Sequence, residues 1–283
     1  MSAVVVARGL TRRFGDFTAV DDVTFDVRPG EVVGLLGANG AGKTTTLRML
    51  LGLLAPTSGT ASLLGATPDR QTRRRLGYVP QGLGLYTELT VRQNVAFSAQ
   101  AYAVPALPLE GALADASERL VRDLPLGLQR QLAFVAALQH APEVLVLDEP
   151  TSGVEPLASA RLWDRIRAEA ERGAGVLVTT HSMEEARQCD RLLLMADARL
   201  VGTGSETDLV AGTSAVAVVT DAWTEAFEAL TRAGELVTLD GRSVRVVDRD
   251  PAVVERVLQD AGVTARVTRV PATLEERMAA LSA

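Results

Sequence analysis

The sequence predicts an α/β fold with a mainly parallel sheet, followed by a smaller α/β domain toward the C-terminus. Two observations carry this prediction. Apolar segments alternate along the chain with segments of helical periodicity, and such alternation is typical of βαβ units. In addition, residues 31–36 and 144–147 form unbroken apolar runs, as expected of strands that are buried on both faces of a parallel sheet.

Each element of the larger domain follows from its local pattern. Residues 31–36 read as a strand that ends in a glycine-rich turn. After that turn, leucines recur at i, i+3, i+4 and i+7 from Leu47 to Leu54, which predicts a helix. The other predicted strands are 3–7, 23–27, 77–79, 144–147, 175–179, 191–195 and 198–201, and the other predicted helices are 90–103, 127–140, 156–172 and 182–188.

A second pattern begins near residue 213. Its elements follow in the order strand, helix, strand, strand, helix, strand, which predicts a small ferredoxin-like unit with a closing helix. The predicted bounds are 215–219, 221–233, 235–239, 243–247, 251–261, 265–270 and, for the closing helix, 273–281. We therefore predict two domains, 1–212 and 213–283, with the smaller one regulatory or dimerising.

The composition restricts the class of protein. The formal net charge is −6, which argues against a nucleic-acid partner, because such proteins usually carry a basic domain or stripe. The single cysteine, Cys189, cannot form an intramolecular disulfide. No apolar run approaches the ~18 residues of a membrane helix, and the first ten residues do not resemble a signal peptide. Any link to a membrane is therefore expected to come through a partner.

Residues 37–44 fit the pattern G-x-x-x-x-G-K-[ST], between a predicted strand and a predicted helix. Glycines in such a loop let backbone N–H groups converge on phosphate oxygens, and the helix adds the positive end of its dipole. Lys43 is the only lysine among 29 basic residues, and it would reach the β- and γ-phosphates, while the Thr44 hydroxyl would bind Mg²⁺. The predicted nucleotide-binding residues here are Gly37, Ala38, Asn39, Gly40, Ala41, Gly42, Lys43, Thr44 and Thr45.

A pair of carboxylates, Asp148 and Glu149, follows the apolar run 144–147. Ligands of open α/β sheets bind at the carboxyl ends of the strands. Asp148 is predicted to complete the magnesium shell, and Glu149 to orient or deprotonate the attacking water. Taken alone, an Asp–Glu pair at a strand end is more often merely solvated, so its interpretation depends on the phosphate-binding loop.

Together these motifs resemble the nucleotide-binding subunits of ABC transporters. Phe14 resembles the aromatic residue that stacks on adenine, Gln81 the glutamine that reaches the metal and the water, and His181 the histidine that holds the γ-phosphate. The resemblance implies a P-loop NTPase fold of ABC type, with antiparallel N-terminal strands and a helical subdomain at about 82–140. It implies MgATP as ligand, a metal site of Thr44, Gln81 and Asp148, and a catalytic set of Lys43, Gln81, Glu149 and His181.

The sequence departs from the family pattern at the signature loop, LSGGQ, which reads LPLGL at 124–128. Pro125 stands in place of the serine that bonds the partner subunit's γ-phosphate, and it has neither a hydroxyl nor an N–H. Leu126 replaces the first glycine. Glu155 stands where aspartate is usual, and the segment from Gln81 to Pro125 is two to three helical turns shorter than in typical members.

The resemblance further implies a protein at the cytoplasmic face of a membrane, bound to a permease and to a second nucleotide-binding subunit. Likeness to resistance exporters suggests drugs, antibiotics or lipid-like compounds as cargo. A homodimer is favoured and a heterodimer is possible. Two alternatives stay open: a non-transport ABC ATPase that acts on ribosomes or DNA, and a regulatory module with weak turnover. The former usually has two cassettes or a long coiled-coil insertion, which this chain lacks.

Overall fold

The computed structural model describes residues 2–281, and its chain contacts divide at Leu200 and Val201. The first nine strands are β1 Val5–Phe14, β2 Phe17–Val27, β3 Val32–Leu36, β4 Ser58–Leu63, β5 Leu76–Val79, β6 Val144–Asp148, β7 Gly175–Thr180, β8 Arg191–Ala196 and β9 Arg199–Gly204, and β9 runs across the division. They form a six-stranded sheet in the order β5-β6-β7-β3-β8-β9 and a three-stranded sheet in the order β2-β1-β4.

The larger sheet is parallel from β5 through β8. Every residue of β3, β6 and β7 is buried, which explains why these strands read as unbroken apolar runs. Because parallel strands point the same way, the segments that follow β3, β5, β6 and β7 leave the sheet at one edge. That edge carries the candidate site.

The N-terminal strands are longer than predicted. β1 and β2 form an antiparallel hairpin, and the residues between them are Gly15, at φ 59°, and Asp16. The register of this hairpin shifts at three places, so its inward-facing residues do not keep a strict period of two. For that reason only the two regular ends, 3–7 and 23–27, are recognisable in the sequence.

The helices of the first unit are α1 Lys43–Leu50, α2 Arg70–Arg73, α3 Val91–Tyr102, α4 Gly111–Asp115, α5 Leu126–Leu138, α6 Pro156–Glu171 and α7 Met183–Ala186. Helices α3, α4 and α5 share a core separate from that of the sheets, which includes Val91, Val95, Leu113 and Leu132. The region predicted as a helical subdomain therefore folds around an apolar cluster of its own. α2, α4 and β4 were not predicted, because each is short and rich in small or polar residues.

The second unit contains α8 Glu206–Val210, β10 Ser214–Val219, α9 Trp223–Arg232, β11 Val237–Asp240, β12 Ser243–Val247, α10 Pro251–Asp260, β13 Arg266–Pro271 and α11 Leu274–Leu281. Its sheet has the order β11-β12-β10-β13, and all three pairings are antiparallel. The predicted order of alternating elements is thus present, and α9 and α10 pack their apolar faces into one core with the sheet.

The division of the chain at residues 200–201 lies twelve residues before the predicted domain boundary at 212. Part of the difference arises at α8, which was not predicted. This short helix begins at a capping box formed by Ser205 and Asp208, and it contacts α11. Those contacts assign α8 to the second unit.

Candidate functional site

The loop between β3 and α1 requires glycine at two positions. A Cβ at Gly37 would lie 2.4 Å from the backbone oxygen of Met195, and a Cβ at Gly42 would lie 2.4 Å from that of Ala19. Gly42 also has φ 103°, in the left-handed region that favours glycine. The loop therefore packs its backbone directly against β2 and β8, and it leaves Ala38, Asn39 and Gly40 exposed on its outer side.

Lys43 is the first residue of α1, and it is only 5% exposed. Its Nζ donates to the carbonyl oxygens of Gly37 at 2.8 Å and Ala38 at 3.1 Å, and it lies 3.8 Å from Glu149 Oε1. Burial lowers the pKa of Lys43, and the negative charges of Glu149 and Asp148 partly offset that effect. The ammonium group is thus held between the loop and the two carboxylates.

Asp148 ends β6 and is 1% exposed. The Thr44 hydroxyl donates to its carboxylate, with Oγ1 3.1 Å from Oδ2, and the Thr179 hydroxyl donates to Oδ1 at 2.6 Å. A hydroxyl from the first turn of α1 and a carboxylate from the end of β6 are therefore brought together. They offer the kind of oxygen ligands that Mg²⁺ prefers.

Glu149 is the point where the other predicted side chains meet. Gln81 Nε2 lies 3.3 Å from Glu149 Oε2, and His181 Nδ1 lies 3.4 Å from Glu149 Oε1. Glu149 has φ 50°, which is uncommon for a non-glycine residue, and its N–H donates to Thr179 Oγ1 at 3.0 Å. The bond from Glu149 N to Thr179 holds this unusual backbone conformation, so the carboxylate faces Lys43, Gln81 and His181.

Phe14 and Thr45, the other predicted nucleotide contacts, lie apart from the cluster around Glu149. Phe14 lies at the end of β1 with 47% of its surface exposed, and the Arg12 guanidinium carbon is 4.5 Å from the centre of its ring. The hairpin that carries Phe14 borders the loop through Ala19, whose carbonyl faces Gly42. Thr45 is half-buried in the first turn of α1. Stacking of Phe14 on a base and nucleotide contact by Thr45 stay predictions.

The structure shows how the altered signature begins α5. Pro125 is the N-cap residue, with φ −57°, and no side chain caps the helix. Leu126 is 40% exposed, and its Cδ2 lies against Gly153. A Cβ at Gly127 would lie 3.3 Å from the Cβ of Ala158. The helix start therefore packs closely on the loop that follows Glu149 and on α6.

Sequence reasoning missed several residues of this site. Thr179 supports both Asp148 and Glu149, and its signal was a polar residue at the end of an otherwise apolar strand next to β6. Glu185 accepts a hydrogen bond from Thr151, and burial raises the pKa of Glu185. Arg130, on α5, is also buried here. These contacts join residues that are far apart in the sequence, so no local motif indicates them.

Cys189 packs against β3, with its Sγ facing Gly34. Burial raises the pKa of this thiol to about 12, which leaves it protonated and unreactive near neutral pH.

The donor set fits magnesium that is shared with phosphate. Within residues 2–281, no three His, Cys, Asp or Glu side chains form a group able to hold a metal ion. Thr44 and Asp148 would therefore supply only part of the coordination shell. This arrangement suits Mg²⁺, which usually binds one or two carboxylates and takes its other oxygens from waters and substrate phosphates.

Comparison with known proteins places the chain in a family. Residues 20–152 match the family described as ABC transporter. The chain is 37% identical over 292 residues to a Nod factor export ATP-binding protein I from Cupriavidus metallidurans, with 98% of this chain and 96% of that protein covered. The chain belongs to the ABC transporter ATP-binding proteins.

Two further similarities place this ABC ATP-binding protein among its relatives. It is 43% identical over 220 residues to the probable multidrug ABC transporter ATP-binding protein YbhF of Escherichia coli, and the match covers 74% of this chain but only 38% of that protein. It is also similar to a solved structure described as the ATP binding subunit of an ABC transporter, with TM-score 0.68 and 30% identity, covering 73% of this chain and 91% of the other. The fold of the first unit is thus the ABC cassette fold.

The family match includes the phosphate-binding loop, Gln81, Asp148 and Glu149, whereas Phe14 and His181 lie outside it. Among the described residues, no helix has both the length and the apolar character needed to cross a membrane.

Proposed function

We propose that this ABC ATP-binding protein binds MgATP at the loop of residues 37–44, hydrolyses it, and thereby drives a separate membrane permease. The observation that carries the proposal is the convergence of Lys43, Gln81 and His181 on Glu149. Three groups from separate parts of the chain meet at this one carboxylate, beside the oxygen pair of Thr44 and Asp148. Neither a structural glycine turn nor a solvated strand end would require this arrangement.

Binding depends on the loop and on the start of α1. The N–H groups of the loop and of the first helical turn would face the phosphates, with the positive end of the helix dipole behind them. Lys43 would contribute a point charge to the β- and γ-phosphates. Phe14, which is exposed and fixed on one side by Arg12, would stack on adenine.

Hydrolysis depends on Glu149. Bound Mg²⁺ would neutralise charge on the β- and γ-phosphates, with Thr44 and Asp148 as ligands and Gln81 beside them. Glu149 would orient the attacking water and accept its proton as the water oxygen bonds to the γ-phosphorus and the bond to the β-phosphate oxygen breaks. His181 and Gln81 would flank this water, since both lie next to the Glu149 carboxylate.

The transport role is supported by family membership. We infer that the cargo is a drug, an antibiotic or a lipid-like compound moved out of the cell, because the relatives are named for multidrug transport and for Nod factor export. The protein would then sit at the cytoplasmic face of the membrane. Tyr86 and Phe97, both about half exposed and in edge-to-face contact with ring centres 4.8 Å apart, offer an aromatic surface to a permease.

We further propose that the protein works as a dimer, with a homodimer favoured. The outer side of the phosphate-binding loop and half of the His181 side chain are exposed, so a second subunit could cover a bound nucleotide. A regulatory module with weak turnover is the second candidate, and the loss of the signature serine at Pro125 favours it.

Two substitutions test the proposal. Glu149→Gln should keep MgATP affinity close to that of the wild type but slow hydrolysis by about 10²- to 10⁴-fold, because glutamine cannot accept a proton. Lys43→Ala should lose nucleotide binding or turnover while it keeps the fold. Glu143→Gln, which alters an exposed carboxylate just before β6, is the matched control and should behave as the wild type.

The measurements are equilibrium binding of MgATP and release of phosphate by the full-length protein, alone and with a co-purified permease. If the Glu149→Gln protein turned over within a few-fold of the wild type, Glu149 would have no part in the chemistry. A wild type that binds MgATP yet never hydrolyses it, even with its permease, would support the regulatory module instead.

A further inference from the structure

Arg130 is a buried cation that belongs to none of the predicted motifs. It lies in the second turn of α5 and is 6% exposed. Its Nη1 donates to the backbone oxygen of Gln81 at 3.2 Å, and its Nη2 donates to the backbone oxygen of Ser152 at 3.4 Å. Among the residues that the structure describes, its Nε has no hydrogen-bond partner.

Burial of a guanidinium group is unfavourable unless nearby groups compensate for the lost water. Here burial lowers the pKa of Arg130, while the negative charges of Glu149, Asp148 and Glu185 oppose that effect, with Glu149 the strongest of the three. The arginine therefore lies in the field of the same carboxylates that form the candidate site. Its direct bonds, however, go to two backbone carbonyls.

Both of these carbonyls belong to segments that contact Glu149. Gln81 reaches Glu149 through its side chain, and the N–H of Ser152 donates to the backbone oxygen of Glu149 at 3.3 Å. The guanidinium group thus joins the segment after β5 to the segment after β6. Without it, the side-chain bond between Gln81 and Glu149 would remain as a link between these two segments, but their backbones would lose a shared anchor.

The position of Arg130 on α5 adds a second connection. Pro125 and Leu126 begin this helix, and Arg130 follows about one turn later. A rigid helix transmits a shift at its start to a side chain one turn away. A displacement of the altered signature would therefore move the two carbonyls that Arg130 holds.

We propose that Arg130 is a positioning residue that fixes Gln81 and the loop 149–154 around Glu149 and ties both to the signature end of α5. The proposal rests on the proposed function of Glu149 in ATP hydrolysis. The hydrogen bonds of Arg130 go to Gln81 and Ser152 and not to the phosphate-binding loop 37–44, so its effect should fall on turnover and on the order of the two segments it joins. Affinity for ATP should depend on it little.

The test compares three full-length variants with the wild type. Arg130→Met keeps the volume of the side chain but removes its charge and both bonds. Arg130→Lys keeps the charge but cannot span two carbonyls with one ammonium group. Arg122→Met, at an exposed arginine paired with exposed Glu88, is the control. For each we would measure turnover number, affinity for MgATP and hydrogen exchange of the peptides that cover 80–86 and 149–155.

We expect Arg130→Met to lower the turnover number about 10- to 100-fold, since small misplacements of catalytic groups have effects of that size. Its affinity for MgATP should stay within about threefold of the wild type, since the groups that face the phosphates are unchanged. In the absence of nucleotide, hydrogen exchange of both loop peptides should be faster in Arg130→Met than in the wild type. The turnover number and the exchange rates of Arg130→Lys should lie between those of Arg130→Met and the wild type. The Arg122→Met control should match the wild type in all three measurements.

Unchanged exchange in both loops would overturn the proposal, whether or not the wild type hydrolyses ATP. The same holds if Arg130→Met loses ATP affinity in proportion to turnover. A wild type without turnover would count against the proposed function only. The hydrogen-exchange data would then still test whether Arg130 orders the two loops. If Arg130→Met does not fold, the hydrogen exchange and the turnover number of Arg130→Lys test the proposal in its place.

A double-mutant cycle with Gln81→Ala adds a check. If Arg130 acts through Gln81, the turnover number of the double variant should fall by less than the product of the two single-variant reductions.

Discussion

A buried charge is stable only where hydrogen bonds replace its water, and Glu276 illustrates this at the residue scale. It lies on α11 and is 1% exposed. It accepts a bidentate bond from Arg245 of β12, with Nη2 3.0 Å from Oε2, and a bond from Thr238 of β11 at 3.1 Å. One carboxylate therefore attaches the closing helix to two strands of the second unit.

Glu276 also makes the stability of the second unit depend on pH. Burial alone would raise its pKa, but the bonds from Arg245, from the N–H of Thr273 and from Thr238, with the charge of Arg245, lower it below the ordinary value of 4.5. A carboxylate with a lowered pKa in the folded state stabilises that state fully above about pH 4.5, and the contribution is lost as the pH falls through the folded-state pKa.

We therefore predict that Glu276→Gln lowers the free energy of unfolding of the second unit at pH 7 by about 1.5–3 kcal/mol, the usual contribution of bonds to charged groups. The difference from the wild type should shrink as the pH is lowered below 4.5. Urea unfolding followed by the fluorescence of Trp223, in a Trp163→Phe background, would measure it. A difference that is equally large at pH 3 would show that the charge of Glu276 is not the cause.

At the scale of single elements, the start of α5 carries the altered signature, LPLGL in place of LSGGQ. An N-cap serine would accept a bond from the backbone of the first turn, and Pro125 offers no such group. The positive end of the helix dipole remains at this turn. The proposed dimer would therefore have a complete phosphate-binding half and a weakened signature half in each chain.

Restoring the signature should raise turnover. We predict that Pro125→Ser combined with Leu126→Gly increases ATPase activity of the assembled transporter about ten- to hundredfold, because a bond to a charged oxygen is regained in the transition state. Pro125→Ser alone is the control for helix capping, since it can stabilise α5 without opening space at position 126. If the wild type already hydrolyses ATP rapidly and the double variant is no faster, the helix dipole and Gly127 are enough to stabilise the γ-phosphate of the partner's nucleotide.

At the scale of the whole molecule, the chain consists of two units, each with a core of its own. The described residues of the candidate site all lie in the first unit. The second unit contains an antiparallel sheet with two helices on it, and nothing in its sequence resembles a phosphate-binding loop. We propose that it serves dimerisation or regulation.

A shortened chain would test that division of labour. Residues 1–212 retain every strand of both sheets of the first unit, so we predict that this fragment binds MgATP with an affinity within a few-fold of the full chain. Binding is measured by titration, and the oligomeric state of both chains by sedimentation. Loss of binding in a folded fragment would show that the second unit contributes to the nucleotide site. An unchanged oligomeric state would exclude a role in dimerisation.

The sequence by itself determined what depends on short windows of the chain. Fully buried strands such as β3 and β6 appear as apolar runs, because both of their faces are covered, and the loop of residues 37–44 appears as a motif, because consecutive N–H groups bind one phosphate group. The βαββαβ order of the second unit was likewise predictable from periodicity.

Only the tertiary structure decided which distant residues meet. Thr44 and Asp148 are 104 positions apart, and Arg130 and Gln81 are 49 apart, so no local pattern relates them. β4 forms because β1 provides an edge for it, although its own residues are small and polar. The physical reason is the same in each case: these contacts exist only after strands and helices have packed, and their energies depend on the burial and geometry that packing creates.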